Sequence, residues 1–271
     1  ASIYEGRYLA GVAAGMKLQQ LIDEGTIKPE EAVIGYVGAY SFAEVISGMT
    51  SYFLGARSVC PSVTMKVQFV GSWSDATEES NAASALCDLG CKLISQHSDN
   101  TTPATMAQSK GAFHTGYNND MTGVAPDASI IGCRIDWTNY FVYAIESVAN
   151  GQEFDQDYCY GYDHGDVVLT ELNENVVAAG TAEAVEAAKA ELEAGTRHVY
   201  DLSTFTVTID DTHNTFKTDY LKLDDAGHIT SYLADVDSDA DYIGDTEVVK
   251  DGYLAESDMR SAPYFDLQID G

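Results

Sequence analysis

Short apolar runs and amphipathic stretches alternate along the first half of the chain. Residues 33–38, VIGYVG, form a compact apolar run that ends at glycine, as expected of a strand buried in a parallel sheet. Residues 43–56 follow with apolar side chains on one helical face, and the cycle then repeats to residue 135. This alternation predicts an α/β fold with a parallel sheet and right-handed crossovers. The predicted strands are 33–38, 66–70, 92–95, 112–117 and 129–135, and the predicted helices between them are 43–56, 79–89 and 105–110.

The flanking regions have a less regular pattern. A helix is predicted for residues 3–22, which precede the first strand, and no internal repeat is found. Downstream, the alanine- and glutamate-rich stretch 182–194 has strong helix propensity and ends at a glycine. The other predictions are a helix at 140–150, strands at 165–170, 204–209 and 216–221, and an acidic loop over the rest of the chain to residue 253.

The charge of the chain excludes several classes of partner. The 271 residues include 14 basic and 43 acidic side chains, which gives a formal net charge of −29. Such a charge repels nucleic acids and anionic membrane surfaces, so neither is expected as a partner. Hydrophobic residues make up 45% of the chain, which suffices for a buried core, but no run of eighteen apolar residues indicates a membrane span.

Three groups of residues suggest metal or catalytic chemistry, and none completes a known site. Cys87 and Cys91 lie four residues apart, but no further cysteine or histidine nearby completes a zinc site, so buried free thiols are the favoured interpretation. The alternating aspartates at 235–241 lack the glycine and glutamate of a calcium-binding loop and predict a solvated acidic loop. His164 and Asp166 resemble a base and its orienting acid, but without an accompanying catalytic motif a turn is the better interpretation. We therefore predict neither a metal nor a cofactor.

Polar and aromatic side chains follow the predicted strands, where open parallel sheets bind ligands. His97, Asp99 and Asn100 follow the third strand and offer donors and acceptors to a ligand, although His97 could equally be a satisfied loop histidine. Asp75 precedes a helix, so a helix cap competes with ligand binding, and Phe42 could simply pack against the next helix. The full set of candidate ligand-binding residues is Tyr40, Phe42, Trp73, Asp75, His97, Asp99, Asn100, Asn118, Asp120 and Trp137, with Ser41 and Glu44 on the rim.

Four spaced segments give the chain a specific resemblance to the basic membrane protein family. They are residues 4–15 (YEGRYLAGVAAG), 34–38 (IGYVG), 71–75 (GSWSD) and 116–120 (GYNND). Members of this family are lipid-anchored substrate-binding proteins of ABC importers, and the best understood resemble purine nucleoside receptors. The resemblance covers residues 1 to about 200, while residues 199–207 and 256–271 look like a Firmicute-type branch.

The resemblance implies a periplasmic-binding-protein type I-like fold with two Rossmann-like parallel-sheet lobes. Most of the first lobe is expected to be missing from this chain, together with a secretion signal and a lipid-modified cysteine. The implied division is a remnant helix of the first lobe at 1–32, a second, ligand-binding lobe at 33–135, hinge-crossing helices and a strand at 136–201, and an acidic C-terminal extension at 202–271.

The resemblance also assigns roles to site residues. Trp73 stands where relatives place an aromatic ring that stacks on the base, with a core tryptophan as the alternative. Asn118 matches an aspartate that holds ribose hydroxyls, and Asp136 or Trp137 replaces a family lysine beyond the fifth strand. These departures leave the identity of the ligand open.

The expected function is that of an extracytoplasmic solute receptor that performs no chemistry. It would capture a nucleoside-like molecule between two lobes and deliver it to ABC permease subunits, as a cell-surface lipoprotein of a Gram-positive, Firmicute-like organism. The alternative is a ligand-sensing regulatory domain on the same fold. An enzyme such as a nucleoside hydrolase would need a metal-carboxylate cluster, which the sequence does not offer.

Overall fold

A computed structural model describes residues 1–155, 157–215, 219–236, 243–257 and 265–271. It contains six α-helices, a short 3-10 helix at Pro29–Glu31 and eleven strands in these residues, in a mixed α/β arrangement. The helices are α1 (Ile3–Asp23), α2 (Ala43–Val59), α3 (Ala76–Asp88), α4 (Thr102–Ser109), α5 (Thr138–Asn150) and α6 (Thr181–Glu193). The strands are β1 (Val33–Gly38), β2 (Thr64–Phe69), β3 (Leu93–His97), β4 (Phe113–Tyr117), β5 (Ser129–Ile135), β6 (Val167–Leu169), β7 (Leu221–Leu223), β8 (Ile229–Ala234), β9 (Thr246–Glu247), β10 (Val249–Lys250) and β11 (Tyr253–Leu254).

The central sheet has six strands in the order β2-β1-β3-β4-β5-β6. Strands β1 to β5 are parallel, and β6 pairs with β5 in the antiparallel direction. The predicted parallel sheet and its five strands are confirmed, with boundaries that differ by two residues at most. The carboxyl ends of these five parallel strands therefore lie at one edge of the sheet.

Helices cover both faces of this sheet. Ile34 and Tyr36 of β1 point into a large core formed with α1 and α2, while Val37 points into a smaller core formed with α3 and α4. This alternation along β1 follows from the two-residue period of a strand. The sheet is thus the middle of three layers.

Glycines allow α1 and α2 to cross at close range. A Cβ atom at Gly11 would overlap the carbonyl oxygen of Tyr52, and one at Gly55 would overlap that of Tyr8. Thirteen residues of α1 are buried, including the charged side chains of Arg7 and Lys17. Backbone contact between the helices explains why glycine occurs inside two helices despite its low helix propensity.

Helix α1 is part of the layer that covers the central sheet. It packs against α2, α6, β5 and β6. Its apolar surface is buried against this sheet, and the assignment of residues 1–32 to another lobe stays a prediction. Helix α6 packs against α1 on the same side of the sheet.

The C-terminal region is more than an acidic extension. Its strands β7, β8 and β9 form a small antiparallel sheet. Phe205, Tyr232 and Phe265 are buried in the same core as α1 and α2. The predicted strand at 204–209 was wrong, because these residues contribute buried side chains without pairing as a strand. The predicted strand at 216–221 begins outside the described residues. Most of the aspartates of 235–241 also lie outside them.

Helix α5 differs from the others because it hardly packs on the sheet. Ser147 is its only buried residue. Phe141, Val142, Ile145 and Val148 are each at least half exposed. Its other aromatic side chains, Tyr140 and Tyr143, contact Phe154 and Tyr158. The helix thus presents an apolar surface that the described residues leave exposed.

Candidate ligand-binding site at the strand ends

Five rings gather where β1 to β4 end, and we call Tyr40, Phe42, Trp73, His97 and Tyr117 the aromatic cluster. Ring centroids lie 4.7 Å apart for the stacked pair Tyr40 and Phe42, 6.1 Å for Tyr40 and Trp73, 6.2 Å for Trp73 and His97, and 4.1 Å for His97 and Tyr117. His97 is fully buried, whereas Phe42 is 54% exposed. The cluster therefore runs from the core to the surface and offers flat apolar faces to a ligand.

The backbone of the strand-end loops holds Trp73 in this position. Gly71, which has a φ of +73°, donates from its backbone nitrogen to the carbonyl oxygen of Ala39 at 2.8 Å. Asp99 donates from its backbone nitrogen to the carbonyl oxygen of Trp73, also at 2.8 Å. The loops after β1, β2 and β3 are thus tied together, and Trp73 lies between two of them.

The buried carboxylate of Glu79 holds the same loops together by hydrogen bonds. Glu79 accepts hydrogen bonds from Ser98 Oγ at 2.6 Å, from Asn100 Nδ2 at 2.9 Å and from the backbone nitrogen of Asp75 at 3.0 Å. Asn100 Nδ2 also donates to Ser74 Oγ at 3.0 Å. The Asn100 amide nitrogen thus has two protein partners. Glu79 was not among the predicted site residues because it lies inside a helix.

Asp75 caps the following helix. Its Oδ1 accepts from the backbone nitrogens of Thr77 and Glu78, both at 3.0 Å, which matches the helix-cap alternative. Asp120 forms a comparable local turn, because its Oδ1 accepts from Thr122 N at 2.9 Å and Thr122 Oγ1 at 2.7 Å. These two carboxylates bind to their own loops.

His97 connects the core to the rim of the cluster. Its Nε2 lies 3.2 Å from Glu44 Oε1, and its Nδ1 lies 3.3 Å from the hydroxyl of Tyr36. Full burial lowers the pKa of His97 despite the nearby Glu44 carboxylate, so the imidazole is neutral. Burial raises the pKa of Glu44, but the hydrogen bonds with His97 and Tyr117 oppose burial, and the pKa lies below its ordinary value.

Beneath the cluster lies a buried arginine that sequence reasoning did not single out. The Arg7 guanidinium donates to Ser95 Oγ at 2.7 Å and to the carbonyl oxygen of Gly116 at 3.1 Å. Its Cζ lies 4.8 Å from the ring centre of Tyr52 and 5.3 Å from that of Tyr36. Within the described residues no carboxylate pairs with Arg7, so aromatic faces and neutral oxygens surround this charge.

The remaining predicted site residues lie apart from the cluster's ring contacts. Asn118 has a φ of +58°, and its side-chain oxygen lies 3.5 Å from the backbone nitrogen of Ile135. Trp137 is 54% exposed and its ring contacts Tyr140 and Phe141, which belong to α5. No ring contact joins Trp137 to the aromatic cluster within the described part of the chain.

The groups considered for metal or catalytic chemistry form no such site. His164 Nδ1 lies 3.3 Å from Asp166 Oδ1 within a turn, and Asn139 Nδ2 donates to the same oxygen at 3.0 Å. Across the described ranges, no three histidine, cysteine or acidic side chains are placed to hold a metal ion. All five cysteines are free thiols; Cys60, Cys91 and Cys133 are buried, and Cys87 and Cys159 are partly exposed.

Comparison with known proteins defines the class. The profile of a family described as ABC transporter substrate-binding protein PnrA-like matches residues 2–195, and the chain belongs to this family. The resemblance noted from four short segments is thereby confirmed. Substrate-binding proteins of ABC importers are extracytoplasmic and generally non-enzymatic. In the described residues, no helix combines the length and hydropathy required to cross a bilayer.

Two curated relatives and one solved structure illustrate the range of similarity. A purine-binding protein of Brucella abortus is 33% identical over 165 residues, which cover 61% of this chain and 44% of that protein. A putative ABC transporter glucose-binding protein of Haloferax volcanii is 35% identical over 174 residues, covering 64% and 42%. A solute-binding protein of an ABC transporter system from Conexibacter woesei has a TM-score of 0.57 at 18% identity, covering 72% of this chain and 62% of that one.

The solved structure confirms the expected periplasmic-binding-protein type I-like fold. The chain spans less than half the length of the two curated relatives.

Proposed function

We propose that this chain is the ligand-binding lobe of an extracytoplasmic receptor that captures a nucleoside-like molecule for an ABC importer. The observation that carries the proposal is the aromatic cluster at the carboxyl ends of β1 to β4, with Trp73 partly exposed in its centre. Flat, partly exposed rings beside hydrogen-bonding groups suit a ligand that combines a planar base with a polar sugar.

Two further features support a receptor for this class of ligand. The family is one of substrate-binding proteins, and one relative is named a purine-binding protein. The second relative, named as a putative glucose-binding protein, makes a free sugar the natural competitor as ligand. Delivery to permease subunits and attachment to the cell surface by a lipid belong to the same proposal.

The uncovered apolar face of α5 fits a two-lobed receptor. Phe141, Ile145 and Val148 would be buried if a second lobe packed beside this helix when the ligand is enclosed. On this proposal, a ligand bound to the present chain alone lacks the contacts of the other lobe. We therefore expect weak binding, with a Kd of about 1 mM, or about −4 kcal/mol.

The two tryptophans of the chain allow a direct test by fluorescence. Trp137→Phe leaves Trp73 as the only indole, and Trp73→Phe leaves Trp137 as a matched control. Titration with adenosine, guanosine, inosine and glucose should change the emission of the Trp73-only protein with a nucleoside, and leave the Trp137-only protein unchanged. Equal responses from both proteins, or a response to glucose alone, would contradict the proposal.

Affinity provides the second measurement. Stacking of a base on an aromatic side chain is worth about 1–3 kcal/mol, so Trp73→Ala should weaken nucleoside binding about 5- to 150-fold. Ligand-observed NMR measures this effect without relying on tryptophan emission. Phe141→Ala, which removes an exposed ring outside the cluster, should leave the affinity unchanged.

A further inference from the structure

We propose that Glu44 is a specificity-determining residue, whose carboxylate accepts a hydrogen bond from a hydroxyl group on the sugar part of the ligand. The inference rests on the proposed function and adds to it the group that recognises the sugar. From the sequence, Glu44 was placed only on the rim of the site, and the structure puts it in the first turn of α2.

The geometry leaves one carboxylate oxygen of Glu44 available. Its Oε1 lies 3.2 Å from His97 Nε2 and accepts from the Tyr117 hydroxyl at 3.4 Å. In the described part of the chain, Oε2 has no hydrogen-bond partner, and 45% of the side chain is exposed. The two partners of Oε1 are themselves buried, so they hold the carboxylate at the surface of the aromatic cluster.

Three other polar side chains near the cluster already have protein partners. Asp75 and Asp120 bind their own loops, and the Asn100 amide nitrogen donates to Glu79 and Ser74. Asp99 is exposed, and it is tied to Trp73 only through its backbone nitrogen. Among these carboxylates, Glu44 is the one that buried side chains orient beside the rings.

The ionisation of Glu44 suits a hydrogen-bond acceptor. A neutral imidazole must carry its proton on Nε2 to donate to Glu44, and the Tyr36 hydroxyl can then donate to Nδ1. The lowered pKa of Glu44 keeps the carboxylate ionised at neutral pH. An ionised carboxylate only accepts hydrogen bonds, so its partner on a neutral ligand is an O–H or N–H donor. Hydroxyl groups on a sugar supply such donors beside a base that stacks on Trp73.

A double-mutant cycle between protein and ligand tests the inference. Glu44→Gln retains the shape of the side chain and removes its charge, and binding of adenosine, 2′-deoxyadenosine, 3′-deoxyadenosine and adenine is measured by NMR for both proteins. We expect Glu44→Gln to weaken adenosine by about 10-fold or more, the range of a hydrogen bond to a charged group. Adenine and the deoxy analogue that lacks the recognised hydroxyl should bind to Glu44→Gln almost as well as they bind to the wild type.

The outcomes separate this inference from the proposed function. If the wild-type chain binds no nucleoside at all, the proposed function fails. If nucleosides bind but Glu44→Gln changes nothing, or weakens all four probes equally, the role of Glu44 in sugar recognition is overturned. Should Glu44→Gln fail to fold, the wild-type protein alone still decides, because one of the two deoxy analogues must bind about 10-fold more weakly than adenosine.

Discussion

His114 should make the stability of the fold sensitive to acid, because the native structure cannot accommodate a second proton on its imidazole ring. The imidazole is fully buried on β4, and Gln96 Oε1 lies 3.0 Å from its Nε2. Gln96 Nε2 donates to the carbonyl oxygens of Ser98 and Asn100, so its Oε1 is left as the acceptor and His114 carries its proton on Nε2. Nδ1 is buried without a partner in the described residues, and a second proton there would find no acceptor.

The size of the stability loss follows from the pKa of His114. Burial, with a smaller effect of the Arg7 charge, lowers the pKa of His114 from its ordinary 6.5 to about 3. Between these values the unfolded chain binds a proton that the native state excludes, so stability falls as the pH falls. From about pH 7 to about pH 5 the loss is about 2 kcal/mol, and it depends mainly on the unfolded pKa because pH 5 is still above the native value.

Chemical denaturation of the wild type and His114→Gln measures this contribution. Glutamine retains a donor toward Gln96 and does not titrate. As the pH falls from about 7 to about 5, the free energy of unfolding of the wild type should therefore drop by about 2 kcal/mol relative to that of His114→Gln. The comparison is necessary because another buried group, Glu256, changes stability in the opposite direction over the same range. Parallel curves for the two proteins, or a shift in favour of the wild type, would refute the reasoning.

Two further predictions concern the core. Glu256 Oε1 accepts from Ser47 Oγ at 2.6 Å, and burial raises the pKa of Glu256 from 4.5 to about 7. The native state therefore favours the protonated form, so wild-type stability should drop by about 2–3 kcal/mol relative to Glu256→Gln as the pH rises from about 5 to about 8. Parallel stability curves for the two proteins over this range would contradict the prediction. Gly55→Ala should destabilise the α1–α2 crossing by about 1–3 kcal/mol because the new methyl group meets the Tyr8 carbonyl. Gly123→Ala, where nothing lies within 4 Å, is the control in the same denaturation assay, and equal stability of both variants would contradict the close-crossing argument.

The central sheet could be predicted because its strands carry their own signal. Each parallel strand is buried on both faces and therefore appears as a short apolar run, and each following helix has the 3.6-residue period of a half-buried surface. The first and fifth strands were placed without error at Val33–Gly38 and Ser129–Ile135. Boundaries of the other elements shifted because loop hydrogen bonds, such as the Asp75 cap that starts α3 at Ala76, decide where an element begins.

The C-terminal region shows the limit of such patterns. Residues 204–209 alternate as a strand does, and Phe205 and Val207 are indeed buried. Their backbone bonds go elsewhere, however, with Val207 donating to Gly227 and Asp270 donating to Thr206. Alternation reports which side chains are half-buried, whereas a strand also needs a neighbour in register, and that neighbour is not encoded locally.

The candidate site was predictable to the extent that it lies on strand ends. Tyr40 and Trp73 follow β1 and β2, His97 ends β3, and parallel strands bring their carboxyl ends together. Arg7 and Glu44 come from helices, and their approach to the cluster depends on how those helices lie across the sheet. Gly48 illustrates this dependence, because a Cβ atom there would lie 2.6 Å from His97 Nδ1.

Depth in the structure explains why so many polar residues near the strand ends are not equivalent candidates for ligand binding. A buried carboxylate such as Glu79 must satisfy its lone pairs within the protein, and it does so by fixing two loops. A carboxylate at the surface, such as Asp120, can remain solvated and needs no ligand. Glu44 lies between these limits, with one oxygen held by buried partners and a side chain still open to solvent. Such a group loses its water when a ligand covers it, so only a ligand with a matching donor can bind without an unpaired charge.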